Sequence, residues 1–248
     1  HLEHRRQRQM CIRDSAYTPL EVASGYTAIA NGGFKVEPWL IDSIEDVDGN
    51  IIYEADPLIA CSACERQVSD DEFLEASRIE DLLEDPEPKF REAPRIIDER
   101  VTYVLTSMLE DVIQRGTGRR ARVLERNDLA GKTGTTNGPR DAWFSGYNRN
   151  LVTTTWVGFD DYSLMGRKEF GGTAALPIWI DFMRVALPAE SAAAEMPPGV
   201  VRLRIDKESG QRTDSQSSSM WEVFLQEFTP TNQRGRNNTD SEDLDGLF

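Results

Sequence analysis

Apolar and polar positions along the chain alternate between a helical and a strand period, and the switches divide it into recognisable elements. Thr18-Pro19-Leu20-Glu21 opens the first helix. Threonine caps, proline suits the first turn, and a glutamate three residues on completes a capping box. Leu20, Ala23, Tyr26, Thr27 and Ala30 then share a face, and Asn31-Gly32-Gly33 stops the helix. Ile44 to Val47 and Ile51 to Tyr53 flank Asp48-Gly49, which predicts a hairpin. A second helix is capped by Asp98. Val101, Val104, Leu105, Met108, Leu109, Val112 and Ile113 recur at helical spacing until Gly116-Thr117-Gly118. Strand patterns follow at 128–135, 142–147 and 151–159, the last rich in β-branched residues. A third helix is predicted over 174–185, with Ile178, Trp179, Phe182 and Val185 as its apolar stripe. Val200 to Ile205 and Trp221 to Phe228 read as a small β extension.

Between these elements the composition shifts. Residues 55–95 are acidic and punctuated by Pro57, Pro86, Pro88 and Pro94; they read as a surface insertion with one short helix near 70–83. The last segment, 231–248, reads as a disordered tail. Residues 1–15, which hold Arg5, Arg6, Arg8 and Arg13, break the acidic composition and read as junction sequence rather than as a basic arm. The remaining parts are a main domain over 16–190 and the small β extension over 191–230. No internal repeat is present.

Charge narrows the function. The 248 residues carry a formal net charge of -15, with 43 acidic against 28 basic side chains. A nucleic-acid partner is therefore not expected, because phosphate binding needs a basic surface. No apolar run of about 18 residues occurs, so no membrane-spanning helix is predicted. Cys61-Ser62-Ala63-Cys64 is a C-x-x-C, and the third cysteine is Cys11. A zinc site needs two further ligands, and the only histidines are His1 and His4. A local disulfide or a pair of inert thiols is the preferred reading over a zinc or redox module. No metal and no cofactor is expected.

The chemistry concentrates in Gly131-Lys132-Thr133-Gly134-Thr135-Thr136, on a predicted strand. Lysine beside a cleft supplies a cation near a nucleophile or a substrate carboxylate. Side chains alternate along a strand, so Thr133 and Thr135 share a face and offer two hydroxyls to one carboxylate. By the same alternation Lys132 points the other way, and some irregularity is needed to bring it to the same place. Gly134 permits close backbone approach, and a backbone N–H nearby can stabilise an oxyanion.

The surrounding residues resemble the class A penicillin-binding proteins, in particular the 1A branch of Gram-negative bacteria. The matching segments are Tyr17-Thr18-Pro19-Leu20-Glu21-Val22-Ala23-Ser24, Ala30-Asn31-Gly32-Gly33, Arg115-Gly116-Thr117-Gly118, the Gly131 to Asn137 block, Asp141-Ala142-Trp143-Phe144-Ser145-Gly146-Tyr147 and Trp156-Val157-Gly158-Phe159-Asp160-Asp161. The resemblance runs from about Ala16 to about Thr231. It implies an α+β fold, an antiparallel sheet flanked by helices as in penicillin-binding transpeptidases and serine β-lactamases, incomplete at its N-terminus. It implies a serine acyl-transfer enzyme that cross-links peptidoglycan stem peptides and is trapped by β-lactams. Lys132 would join the active-site polar network. Thr133, Gly134 and Thr135 would bind substrate, the two threonines holding its terminal carboxylate and the Thr135 N–H forming half of an oxyanion hole. Trp143 and Phe144 are read as core.

The family also needs S-x-x-K, in which lysine activates the nucleophilic serine, and S-x-N. Neither occurs in these 248 residues. The reading is therefore the C-terminal part of a bifunctional glycosyltransferase and D,D-transpeptidase, inactive alone, with its nucleophile and its membrane anchor encoded upstream. The parent would work on the periplasmic side of the inner membrane. A non-catalytic periplasmic scaffold reusing the fold is the alternative. Exposed sheet edges and apolar surface are expected, with a tendency to aggregate.

Overall fold

The structure is a computed structural model that describes residues 17–61, 91–191 and 193–231. The predicted helix near 70–83, Cys64, the N-terminal basic run and the tail lie outside these residues. The chain divides into two units, 1–196 and 197–248.

The first unit is built on a three-stranded antiparallel sheet. Helix α1 (Pro19–Ala30) begins with the predicted capping box: the Glu21 N–H donates to Thr18 Oγ1 at 3.3 Å, and Glu21 accepts the Thr18 N–H at 2.7 Å. At its far end Gly33 turns with φ +107, and an added Cβ would overlap the backbone carbonyl of Ile97. Glycine is required there on both counts. Strands β1 (Ser43–Glu45) and β2 (Ile51–Glu54) form the expected hairpin. Its turn is tied by Asp46, which accepts the N–H groups of Asp48 and Asn50, each at 2.9 Å. Strands β3 (Leu58–Ile59) and β4 (Arg91–Glu92) pair in parallel at the two ends of the acidic segment, where only loop was expected.

Helix α2 (Glu99–Gln114) is capped by Asp98, whose carboxylate accepts the Arg100 N–H at 2.8 Å. A 3-10 helix (Arg119–Leu124) leads into the sheet: β5 (Ala130–Thr135), β6 (Asp141–Tyr147) and β7 (Val152–Gly158), in that order. The first strand is shorter than predicted. The ladder begins at Ala130 opposite Tyr147, the last residue of β6, so Asp128 has no strand residue to pair with; its side chain forms an ion pair with Arg126 at 2.7 Å instead. Thr136 Oγ1 organises the β5–β6 turn by accepting the N–H groups of Arg140 and Asp141. Asn148 Oδ1 does the same for the β6–β7 turn, accepting the N–H groups of Asn150 and Leu151 at 2.9 Å.

Each face of this sheet carries its own cluster. On one face Phe144 meets Trp179 edge to face, with ring centroids 4.9 Å apart, and Ile113, Leu129, Ala142, Leu176 and Met183 complete a buried core. On the other face Tyr147 packs with Ala30, Leu109 and Ala130, and its hydroxyl lies 2.9 Å from Thr106 Oγ1. Trp143 is only partly buried and leans on Trp156, centroids 6.2 Å apart. The core reading thus holds for Phe144 and is corrected for Trp143.

The third helix is reached through a π turn (Gly171–Ala175) and runs as α3 (Leu176–Ala186). Its buried positions are Leu176, Trp179, Ile180 and Met183. The stripe expected from the sequence is therefore corrected. Trp179 is buried, while Ile178, Phe182 and Val185 are exposed, Val185 at 87%. Both sets recur at helical spacing, because the helix is apolar on both sides. The set that meets the sheet is the one whose Trp179 packs on Phe144 and donates its Nε1–H to the Thr153 carbonyl. On α2, Val101 and Met108 are likewise exposed, and Thr102 is buried in their stead. The second unit is an antiparallel pair, β8 (Val200–Asp206) with β9 (Ser219–Leu225), followed by a short 3-10 turn. Arg204 lies over the Trp221 ring at 4.9 Å.

Candidate active-site strand

Strand β5 is a terminal strand of its sheet, paired with β6 alone. Such a strand leaves one row of backbone groups unpaired and open to an incoming extended chain. The register sets Lys132 opposite Ser145, Thr133 opposite Phe144 and Thr135 opposite Ala142. Lys132 and Thr133 therefore leave the strand on opposite faces, as alternation requires. The lysine bends back along the chain: its Nζ donates to the Thr133 carbonyl at 2.8 Å. That hydrogen bond goes to the main chain of the next residue, and the ladder register through Lys132 and Thr133 is unbroken. Lys132 is exposed.

The two threonines stand on the face that carries Phe144 and the π turn. Thr133 Oγ1 lies 2.8 Å from Thr117 Oγ1. Thr135 Oγ1 accepts the Gly171 N–H at 3.0 Å. Gly171 sits so close to the strand that a Cβ there would overlap the carbonyl oxygens of Trp143 and Gly134. Gly134 itself faces Trp143, with 3.1 Å between the tryptophan Cβ and the place where a Cβ would be. Arg120 reaches the same region, its Nη1 donating to the Gly172 carbonyl at 3.5 Å. A carboxylate laid against this face of the strand would meet two hydroxyls, with the Arg120 guanidinium at the neighbouring Gly172 carbonyl and the Lys132 side chain leaving on the other face.

Thr117, Arg120 and Gly171 were not identified as site residues from the sequence. Thr117 was legible as part of Arg115-Gly116-Thr117-Gly118; the other two carry no local signal, because their proximity comes from the chain crossing of the π turn. Cys61 is disulfide-bonded. Among the described residues no group of three or more His, Cys, Asp or Glu side chains could hold a metal.

A second polar cluster lies at the other end of the sheet. Asp128 is buried, receives Arg126 through both carboxylate oxygens at 2.8 and 2.7 Å, and accepts Asn148 Nδ2 at 3.2 Å. Glu110 lines the small cleft beside it with Thr106 and Tyr147. Burial first, then the nearby charges of Asp111 and Asp128, push the Glu110 carboxyl up to about 7. Burial also drives the Tyr147 phenol upward, against the hydrogen bond from Thr106, which lowers it.

Comparison with known proteins fits this architecture. Residues 12–175 match the family model described as the penicillin binding protein transpeptidase domain. Penicillin-binding protein 1A of Pseudomonas aeruginosa is 43% identical over 247 residues, which cover 89% of this chain and 29% of that protein. Penicillin-binding protein 1A of Escherichia coli is 33% identical, covering 90% of this chain and 32% of that protein. Among solved structures, penicillin-binding protein 1A from Haemophilus influenzae superposes with a TM-score of 0.73 at 33% identity, over 87% of this chain and 33% of that one.

The chain belongs to the penicillin-binding protein transpeptidase family. Within that family its relatives are the class A proteins of the 1A branch, and it spans about a third of their length.

Proposed function

We propose that this chain is the C-terminal part of the D,D-transpeptidase unit of a bifunctional peptidoglycan synthase, and that β5 is the strand on which the donor stem peptide and β-lactams lie. The observation that carries the reading is the arrangement on β5: Thr133 and Thr135 on one face, with the Lys132 ammonium tied to the Thr133 carbonyl. In this reading the two hydroxyls hold the terminal carboxylate. Lys132 belongs to the polar network around the nucleophile, and the Thr135 N–H is one half of an oxyanion hole.

The reaction is acyl transfer from D-Ala-D-Ala. A serine oxygen bonds to the penultimate carbonyl carbon, the peptide bond to the last D-alanine breaks, and that D-alanine leaves with a proton on its nitrogen. An amine of a neighbouring stem then displaces the serine. The serine is to come from an S-x-x-K element encoded upstream, since no serine in this sequence has lysine three positions later. The chain alone is accordingly inactive, and the periplasmic face of the inner membrane is the proposed site of action.

The test is covalent labelling with a fluorescent penicillin. The chain alone should give no labelled band. The same chain translated in frame with the upstream sequence of its locus should give one, and Lys132→Ala or Thr133→Val should remove it. A labelled band from the chain alone would refute the reading. So would an upstream frame that lacks S-x-x-K and S-x-N, which would leave a scaffold role.

A further inference from the structure

Behind each of the two β5 hydroxyls stands a hydrogen-bonding group from another segment. For Thr135 the group is the Gly171 N–H, which can only donate. A hydroxyl has one proton and two lone pairs. Once Thr135 Oγ1 accepts from Gly171, its proton is left for a ligand. For Thr133 the group is the Thr117 hydroxyl at 2.8 Å, where either oxygen can be the donor. Only one of the two directions suits an anion. If Thr133 donates to Thr117, it has no proton for a carboxylate, which accepts only. If Thr117 donates to Thr133, the Thr133 proton is released outward, and two hydrogen bonds running in one direction polarise each other.

Thr117 is held where it can do this. It lies in the turn after α2, where the Gly118 N–H donates to the Val112 carbonyl at 2.9 Å and the Gly116 N–H to the Asp111 carbonyl at 3.0 Å. Arg115 and Asp111 form an ion pair one turn back. Glycine at 172 leaves room on the other side: a Cβ there would press on the Thr117 carbonyl at 3.2 Å. Thr117 and Gly171 thus come from two separate chain segments, and both are directed at one strand.

We propose that Thr117 is a positioning residue for carboxylate recognition: by donating to Thr133 Oγ1 it turns the Thr133 proton outward, so that Thr133 and Thr135 present two donors to one carboxylate. Thr117 does not touch the ligand. The proposal rests on the reading of Thr133 and Thr135 as the carboxylate-binding pair.

The experiment titrates N-acetyl-D-Ala-D-Ala, and separately its C-terminal amide, into the 248-residue chain. The threonine methyl groups are 13C-labelled and followed by NMR at a temperature well below unfolding. The wild type should bind the free acid in preference to the amide. Thr117→Val, which keeps the shape and deletes the hydroxyl, should weaken the acid about tenfold, as loss of support for a charged hydrogen bond predicts, and leave the amide unchanged. Thr117→Ser should restore affinity to within about twofold. Acid binding that is reduced by Thr133→Val but not by Thr117→Val would overturn the positioning role and leave the carboxylate reading standing. Equal losses in Thr117→Val and Thr117→Ser would mark a merely structural role and also overturn it. No preference for the acid in the wild type, or a preference that Thr133→Val and Thr135→Val leave intact, would remove the carboxylate reading and this inference together.

Discussion

Replacing Glu110 by glutamine should stabilise the protein above pH 7 and flatten its pH dependence between about pH 4.5 and 7. The carboxyl is pushed from an ordinary 4.5 up to about 7 by burial, aided by the charges of Asp111 and Asp128. A raised acid binds its proton more tightly in the folded chain than in the unfolded one. Its contribution is therefore fully present below about pH 4.5 and is lost as pH rises through about 7. At about 1.4 kcal/mol per unit, the full shift corresponds to roughly 3 kcal/mol. Glu110 is only partly buried, so water screens it, and roughly 1–2 kcal/mol is the expected loss. That is worth about 2–8 °C in Tm for a chain of this size.

The only histidines are His1 and His4, outside the described residues. The shifted aspartates, such as Asp46, Asp98 and Asp206, are lowered and act at more acid pH. Thermal unfolding followed by circular dichroism at half-unit steps from pH 4.5 to 8.5 would read the difference. Wild-type Tm should fall over this range while that of Glu110→Gln stays nearly level, the curves diverging toward high pH. Parallel curves would refute the argument that Glu110 is desolvated.

Three further outcomes follow from the packing. Arg126→Met should cost about 3 kcal/mol in denaturant unfolding at pH 7, because it takes the bidentate guanidinium away from the buried Asp128 carboxylate; a loss below about 1 kcal/mol would contradict that. Gly171→Ala should destabilise by about 1–3 kcal/mol, since its Cβ would overlap backbone atoms of Trp143 and Gly134 rather than a movable side chain, and it should shift the Thr135 methyl resonance. An unmoved resonance would mean that the π turn does not lean on β5. Finally, Phe182→Ser with Val185→Ser should reduce concentration-dependent association in analytical ultracentrifugation, because both residues are exposed beside Ile178 on one apolar stripe of α3. Unchanged association would assign it to another surface.

The local sequence determined most of the elements and the chemistry they carry. Thr18 and Glu21 define the start of α1 because a capping box is closed within four residues. Asp46 to Asn50 define the hairpin turn for the same reason, and the β-branched run of β7 is a strand by propensity. The K-T-G-T alternation separates Lys132 from the two threonines wherever the strand lies. The tertiary structure decided what depends on groups distant in sequence. It chose Leu176, Trp179, Ile180 and Met183 over Ile178, Phe182 and Val185, two stripes that periodicity alone cannot rank. It started β5 at Ala130, because the partner strand β6 ends opposite it at Tyr147. It set the hydroxyls of Thr133 and Thr135 against Thr117 and Gly171, which lie 16 and 36 positions away. Short-range hydrogen bonds are written in neighbouring residues, whereas the side of a helix that is buried, and the donor that stands behind a hydroxyl, exist only once distant segments have packed.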